Sequence, residues 1–429
     1  MSIFKYYNLA KIELFFLCRS ITGIGTYKTL KIIKKKFPKL KIILVKSGTK
    51  VFDWKIPAEW KIKSAFVLDK DEKKIIDFKR NNLHLVNYSM PINRILSKKE
   101  FLKKVYSLPN QPTAIPYITS YYKKDWGFCI NHIQKKEINK SYKNKDKFKI
   151  VINSSFKKNG NLRYGELLIK GKSEQEILIS TYICHPSMAN NELSGSIVSM
   201  MLIDYFRKNK PKKSIRFIFV PETIGAISFI SKNFDKIKKN VVGGYNLSCI
   251  GDERNYNCIL SKYGNSLSDL SLLEAYTKLK IKYKKFKFLF RGSDERQYNS
   301  PGIDLGISTI SRTRFGDFKE YHTSLDDFNL VTKKGIYGGF KVAREAIKNL
   351  SNKIIPITTI KCEPFMTKRN LYDTLSIKKP NYEIKDIMNF IQYADGKNDL
   401  NQITEITGLS LNKSKKILNI LINNKIIKV

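Results

Sequence analysis

The chain has 429 residues, which is too long for one ordinary hydrophobic core and predicts two or three domains. Its hydrophobic content of 42% and aromatic content of 12% are typical of a soluble globular protein, and no apolar run reaches the roughly 18–20 residues that span a bilayer. The formal net charge of +43 comes mostly from lysines spread along the whole chain, so a lysine-rich background explains it better than a nucleic-acid surface.

The start of the chain does not have the pattern of a secretory signal. A short apolar patch at residues 14–18 is followed by Arg19 and by no cleavage site of small residues, so we expect a cytoplasmic protein with no membrane partner. The six cysteines are scattered and include no C-x-x-C pair. They are therefore expected to be free thiols and not a zinc knuckle or a disulfide framework.

The order of predicted elements indicates an α/β domain with an insertion. Residues 1–40 are predicted to be helical, most clearly over 29–36, and residues 41–130 carry short β-type runs between turns and prolines. From about residue 148 strands and helices alternate as far as a long helix at 333–350. This alternation predicts an α/β domain over 1–40 and 131–350, with a mostly parallel sheet and helices on both faces. Residues 41–130 are predicted to form an inserted small β domain.

The end of the chain is predicted to form a separate helical module. Residues 351–381 are rich in proline and lysine and are interpreted as a linker. Three short helical patterns then fill residues 382–424, which predicts a winged-helix-like module over residues 382–429. Its third helix offers lysines, whereas a helix that reads DNA bases would use arginine, asparagine or glutamine. A packing or partner-binding role is therefore favoured over nucleic-acid binding.

Four protonatable side chains come at or after the ends of predicted strands: His185, Glu222, Asp252 and His322. Because the carboxyl ends of parallel strands meet at one edge of a sheet, we expect these groups to lie close together. Neutral imidazoles are zinc ligands, and a nearby glutamate that does not bind the metal can take a proton from water. The residue types therefore predict a metal-dependent hydrolase with Glu222 as the general base.

Several sequence blocks resemble, in the right order, the motifs of zinc aminopeptidases of the M28 type. These are HPSMANNELSG at 185–195, PETIGAI at 221–227, GSDERQYNSPG at 292–302 and EYHTSLDD at 320–327. With further blocks upstream, the resemblance covers about residues 10–350. The chain is identified as a member of the DUF4910 aminopeptidase-like family, which implies an inserted β domain and a trailing winged helix. Members often accompany genes of surface-polysaccharide biosynthesis.

The resemblance implies roles for particular residues. His185 and His322 match metal histidines, and Glu222 matches the general base. In the zinc aminopeptidases an aspartate bridges two metals where this chain has Asn191, and a ligand glutamate follows the base where this chain has Thr223. The resemblance therefore implies one zinc ion at most, held by the two histidines and the amide oxygen of Asn191.

Further candidates for substrate contact are charged residues near these motifs. Asp294, Glu295 and Arg296 form a triplet that is either a solvated turn or, as the resemblance favours, a substrate-contacting loop. Arg312 follows a predicted strand and could hold a substrate carboxylate or phosphate, or form a structural salt bridge. Asp252 lies near, but not at, the position of another ligand aspartate in the family, and it is grouped with these residues.

The leading hypothesis is an aminopeptidase-like hydrolase that acts on a peptide or an amide-bearing small molecule and is linked, through the family resemblance, to surface-polysaccharide biosynthesis. The first alternative is a weakened relative that binds a ligand or partner, with Asn191 as its mark. The second alternative is nucleic-acid binding through the C-terminal module. The sequence does not identify the substrate, and it is compatible with a homo-oligomer.

Overall fold

The computed structural model describes residues 4–371 and 382–429. Its central feature is an eight-stranded mixed sheet, here named the large sheet. The four central strands run parallel to one another, and the neighbouring strands on both sides run antiparallel to them. In spatial order the strands are Lys41–Lys46, Asn161–Ile169, Lys213–Val220, Ser173–Tyr182, Val241–Leu247, Ile307–Ser311, Asn257–Ile259 and Lys284–Phe286.

The central strands are buried on both faces because helices cover both sides of the large sheet. In the strand Ser173–Tyr182, Ile177 and Ile179 pack into one hydrophobic cluster, while Leu178 packs into the other. A strand buried on both faces reads as a continuous apolar run, which is why these strands are visible in the sequence. The expected α/β architecture is therefore confirmed. The covering helices are Ile24–Lys36, Ser194–Lys208, Ile224–Asn240, Leu267–Lys278 and Lys333–Asn352.

A second, four-stranded antiparallel sheet is here named the small sheet. The strands that form it do not coincide with the inserted β domain that was expected over residues 41–130. The first of the expected β runs, Lys41–Lys46, pairs with the large sheet. Conversely, Lys147–Lys157 pairs into the small sheet, because its buried residues alternate with accessible ones, as in a strand with one buried face. In spatial order the small sheet contains Lys74–Asp77, Glu59–Leu68, Lys147–Lys157 and Ile92–Ser97.

Shorter elements complete this part of the chain. The two-stranded pairs are Lys50–Val51 with Trp54–Lys55 and Val105–Tyr106 with Phe128–Cys129. The shorter helices are Lys5–Leu9, Lys98–Leu102, His132–Ser141 and Glu295–Tyr298, and π-helical turns occur at Ala10–Leu14 and Ala189–Leu193. Among the described residues, no helix has the length and apolar character needed to cross a bilayer.

The C-terminal module has the three expected helices, Tyr382–Gln392, Leu400–Thr407 and Leu411–Asn423, around a hydrophobic cluster of its own. Its last strand, Ile427–Lys428, pairs antiparallel with Ile357–Thr358. Much of the expected linker at 351–381 therefore belongs to folded structure: residues 351–352 end a long helix, and residues 357–358 are part of the module. The rest of that prediction, at residues 372–381, falls outside the described residues.

Candidate active site

The histidines and Glu222 meet at the carboxyl edge of the central parallel strands. His185 follows the strand Ser173–Tyr182, Glu222 follows Lys213–Val220, and His322 lies in the loop after Ile307–Ser311. Together they line a pocket of about 440 Å³. The remaining residues of its lining are Ile21, Trp54, Tyr117, Thr119, Tyr121, Tyr122, Cys184, Thr223, Arg296 and Gln297.

The two histidine rings are close together, with their centroids 5.4 Å apart. Burial lowers the pKa of His185 to about 3, and the nearby Arg19 adds to the effect. Burial also lowers the pKa of His322 to about 3, and His185 contributes to this shift. Both imidazoles are therefore neutral at neutral pH, which is the form that can bind a metal ion.

A buried carboxyl group fixes the orientation of His185. Oε2 of Glu192 lies 2.7 Å from Nδ1 of His185, a distance that requires a proton between them. Burial raises the pKa of Glu192 to about 8, and Arg19 opposes the rise, with its Nε 3.7 Å from Oε1 of Glu192. With Nδ1 engaged, His185 turns Nε2 toward Glu222. In its ionised form Glu192 accepts a hydrogen bond from the Nδ1–H of His185, and such a carboxylate is the usual support for an imidazole that binds metal through Nε2.

Sequence reasoning missed the roles of Arg19 and Glu192. Arg19 is fully buried and donates from Nε to the carbonyl oxygen of His185 at 2.8 Å. Glu192 directly follows Asn191 in the chain. The π-helical turn Ala189–Leu193 directs the two side chains to different partners, Asn191 to Tyr182 and Glu192 to His185. The signal available in the sequence was a carboxylate seven residues after a candidate ligand histidine.

His322 is positioned by a loop of the inserted segment. The Tyr117 backbone N–H donates to the carbonyl oxygen of His322 at 2.8 Å, and Ser324 N–H donates to Ile115 O at 2.8 Å. These bonds place the Tyr117 ring edge-on against both histidine rings, at centroid distances of 5.1 Å to His185 and 5.2 Å to His322. His322 itself has φ +55, a conformation that is uncommon outside glycine and that these contacts hold in place.

Glu222 lies opposite His185, with its Oε2 3.6 Å from the Nε2 of that histidine. Its backbone N–H donates to Cys184 Sγ at 3.3 Å. Burial raises the pKa of Glu222 to about 7, and the cation of Arg296 opposes the rise. A carboxyl group with a pKa near neutrality is suited to accept and return a proton in catalysis.

The residue after Glu222 is strained and is held by two members of the charged triplet. Thr223 has φ +65, which is costly for a β-branched residue. Its backbone N–H donates to Asp294 Oδ1 at 2.7 Å, and its Oγ1 accepts from Arg296 Nη2 at 2.5 Å. Burial, and then the nearby Glu222, raise the pKa of Asp294. Asp294 therefore supports the turn that carries Glu222, and it is not part of the pocket lining.

Asn191 and Asp252 lie outside the pocket lining. The Oδ1 of Asn191 accepts from the Tyr182 hydroxyl at 3.1 Å, and its backbone N–H donates to Asp326 Oδ2 at 2.8 Å. Asp252 accepts from the Thr313 hydroxyl at 2.7 Å and from other donors of neighbouring loops. Asn191 is therefore already engaged through the oxygen that was predicted to bind zinc, and Asp252 joins the loops beneath the site.

Glu295 and Arg312 also serve the surrounding loops. The Glu295 carboxylate accepts from the backbone N–H groups of Gly292 and Ser293 at 2.8 and 3.1 Å. Arg312 donates from Nε to Asn255 O at 2.6 Å, and its guanidinium lies 3.8 Å from the ring centre of Tyr256. Of the five residues expected to contact substrate, the pocket lining contains Arg296 and not the other four.

The donor set at the pocket fits one metal ion and does not fit two. Two neutral imidazoles lie close together and zinc accepts imidazole ligands, while the Glu222 carboxyl group lies beside them, where it can take a proton from water without binding the ion. The positions that would supply further carboxylates carry Asn191 and Thr223, whose side-chain oxygens already accept hydrogen bonds. Cys184 Sγ lies near His185 Nδ1 and Glu192, but burial raises the pKa of this thiol well above its ordinary value and Glu192 already occupies Nδ1.

Solved structures with this fold include metallopeptidases. A crystal structure of a protein from Clostridium acetobutylicum, provisionally named a peptidase, is 38% identical with a TM-score of 0.78, covering 100% of this chain and 96% of that one. A zinc aminopeptidase from Bacillus subtilis is 14% identical with a TM-score of 0.59, covering 80% and 94%. An M28 peptidase precursor from Shewanella amazonensis is 9% identical with a TM-score of 0.56, covering 84% and 94%. At such low identities the last two show a shared fold.

Sequence comparison identifies the family. A relative from Clostridium acetobutylicum is 38% identical over 428 residues, which are 99% of this chain and 96% of that protein. It carries the provisional name of a polysaccharide biosynthesis protein with an aminopeptidase-like domain. Residues 354–429 match the winged helix-turn-helix model, and residues 7–353 match the model described as a domain of unknown function, DUF4910. The chain therefore belongs to the DUF4910 family and combines its aminopeptidase-like domain with a C-terminal winged helix.

Proposed function

We propose that this protein hydrolyses an amide bond in a peptide or in an amide-bearing small molecule, with the help of one zinc ion. The observation that carries the proposal is the placement of the Glu222 carboxyl group 3.6 Å from Nε2 of His185, in a pocket that also contains His322. The named relatives add support, since one is described as aminopeptidase-like and another protein of the same fold is a zinc aminopeptidase.

In this proposal His185 and His322 hold the metal ion and Glu222 handles the proton. Zinc, when bound, would polarise the amide carbonyl and lower the pKa of water. Glu222 accepts a proton from water as the water oxygen bonds to the carbonyl carbon. It then returns that proton to the nitrogen as the carbon–nitrogen bond breaks, so the products are a carboxylic acid and an amine. Glu192 keeps Nδ1 of His185 engaged and leaves Nε2 free for the ion.

The aromatic side of the pocket would bind the apolar part of the substrate. Trp54 and Tyr122 pack edge to face with their ring centroids 5.4 Å apart, and both line the pocket. The hydroxyls of Tyr117 and Tyr121 are 2.9 Å apart and bond to each other. Aromatic rings contribute large apolar contact areas with little conformational freedom to lose, so this wall suits an apolar or aromatic group beside the reacting amide.

The proposal is tested by metal analysis combined with hydrolysis of aminoacyl and N-acyl amides. We expect about one zinc per chain, retained in Glu222→Gln and lost in His185→Ala, with turnover reduced at least about 100-fold in Glu222→Gln. His132→Ala is the matched control, because His132 bonds to Ser107 and does not line the pocket. Wild-type protein that binds no zinc and hydrolyses none of these amides would contradict the proposal.

A second candidate function is ligand binding without turnover. It is favoured by the hydrogen bond from the Tyr182 hydroxyl to Asn191 Oδ1. Asn191 stands where the aminopeptidases have a metal-bridging aspartate, and this bond engages its side-chain oxygen. Under this alternative the pocket binds its ligand in protein free of metal, and a chelator leaves the affinity unchanged. Loss of binding after chelation would contradict it.

A further inference from the structure

Arg296 is a cation in the pocket wall with unused hydrogen-bond donors. It belongs to the short helix Glu295–Tyr298 and lines the pocket beside Glu222. A guanidinium group has five N–H donors, and the structure gives it one hydrogen bond, from Nη2 to Thr223 Oγ1. Its Nε is buried and has no hydrogen-bond partner. Among the described residues Nη1 also has no hydrogen-bond partner, and unlike Nε it is not a fully buried atom, so Nη1 is the donor that an acceptor in the pocket can reach.

The surrounding carboxyl groups do not neutralise Arg296. Within the two described ranges, residues 4–371 and 382–429, no ion pair includes it. Asp294 is two residues away, but its Oδ1 accepts from Thr223 N–H and burial keeps its pKa high, which favours the neutral form. Among the described residues, Arg296 is therefore the one lysine or arginine in the pocket lining, and it has no ion-pair partner.

The pocket offers little to a substrate amino group. In the part of the chain that the structure describes, Glu222 is the sole carboxyl group in the pocket lining, and the proposed function uses that group for proton transfer. An enzyme that selects a free N-terminal ammonium needs a further anion close to the reacting amide. Here the charge beside Glu222 is of the opposite sign, so the lining repels an ammonium and attracts an anion.

We infer that Arg296 binds a carboxylate of the substrate, so that the preferred substrates are N-acylated amino acids or small peptides recognised through their carboxylate and not through a free amino group. The inference rests on the proposed function for the identity of the reacting bond. A planar guanidinium matches a carboxylate through paired N–H donors, which a single ammonium does not. A volume of about 440 Å³ admits a molecule of that size, and Trp54 and Tyr122 would contact its side chain.

Binding of probes without an amide bond tests this inference separately from hydrolysis. Phenylacetate, benzylphosphonate and phenethylamine share a benzyl group and differ in the charged end. Titration calorimetry on the full chain should rank phenylacetate first and phenethylamine last. Arg296→Gln should weaken phenylacetate binding at least about tenfold, the loss expected for a charge-assisted hydrogen bond. Arg296→Lys should keep part of the affinity, because it keeps the charge without the paired donors.

Arg291→Gln is the matched control, since Arg291 is an exposed arginine five residues upstream that lies over the Phe288 ring. It should leave phenylacetate binding unchanged, and thermal melting should show that all variants are folded. The inference is overturned if phenylacetate does not bind, if phenethylamine binds more tightly, or if Arg296→Gln and Arg296→Lys both bind phenylacetate as wild type does. If benzylphosphonate binds clearly more tightly than phenylacetate, the inferred ligand of Arg296 is a phosphate group, and the inference of a carboxylate is overturned. None of these outcomes requires turnover, so the proposed hydrolysis can fail while this inference stands.

Discussion

Asn191 allows the strongest test of how the site differs from a two-metal aminopeptidase. We expect Asn191→Asp to destabilise the protein in the absence of zinc. The side chain is 2% exposed; its Oδ1 accepts from the Tyr182 hydroxyl at 3.1 Å and from Cys249 Sγ at 3.9 Å, and its Nδ2 faces Met188 Sδ at 3.8 Å. The substitution replaces an amide nitrogen with a charged oxygen that faces a sulfur atom and has no donor there.

The magnitude follows from a buried aspartate nearby. Burial raises the pKa of Asp326 to about 7 from its ordinary 3.8, even though the backbone N–H groups of Asn190 and Asn191 donate to it. One of the two donors to position 191 is a thiol, which donates weakly, so the pKa of an aspartate there should be at least as high. A folded pKa of about 7 against an unfolded value of about 4 costs about 4 kcal/mol at pH 7.

The sign of the pH dependence is fixed by the raised pKa. The cost is absent below the unfolded pKa, where both states are protonated, and grows as pH rises toward the folded pKa. Between pH 5.5 and 7.5 the deficit of Asn191→Asp relative to wild type should increase by about 2 kcal/mol. Urea unfolding followed by circular dichroism measures it, with the exposed Asn209→Asp as the control that should show little change.

Zinc should reverse much of this deficit. If position 191 is within reach of the ion, saturating zinc at about 100 times its dissociation constant adds about 2.7 kcal/mol to the stability of the variant. A variant as stable as wild type without zinc would refute the argument that the side chain lies in a dry environment. A variant that is destabilised and gains no more stability from zinc than wild type does would show that an aspartate at 191 does not reach the ion.

Two further predictions concern the fold. Of the six cysteines, Cys362 is exposed, four are buried, and burial raises the pKa of Cys18 to about 12. A thiol reagent should therefore label one cysteine rapidly in native protein and six in denaturant. Rapid labelling of several native thiols would contradict this. Gly195→Ala should destabilise by about 3 kcal/mol in urea unfolding, because the new Cβ would lie 2.3 Å from Leu247 O. Gly302→Ala, with φ +84 and open space around it, should cost about 1 kcal/mol, and equal effects of the two would refute the packing argument.

The parts of the site that follow buried strands could be predicted from the sequence. His185 and Glu222 each end a continuous apolar run, and parallel strands bring such ends to one edge. The same reasoning overreached for Asp252 and Arg312, which also follow strands but turn toward loops. Position at a strand end fixes where a backbone leaves the sheet, and the direction of the side chain depends on hydrogen-bond donors elsewhere in the chain.

Contacts between distant segments could not be predicted from local pattern. The ring of Tyr117 lies against two histidine rings because residues 115–117 pair with 322–324. Arg19 was noticed only as an interruption of an apolar patch, and its partner His185 is 166 residues away. Neither pairing leaves a periodic trace in either segment, so the sequence carries no local signal for it.

The pocket has walls from two parts of the chain that fold around different sheets. Trp54 and the tyrosines at 117, 121 and 122 come from the inserted segment, while His185 and Glu222 come from the edge of the large sheet. A molecule that fills the pocket contacts both parts at once, so its binding stabilises the contact between them. Occupancy should therefore slow amide hydrogen exchange and proteolysis along the seam between the two parts, well beyond the residues that the molecule itself contacts.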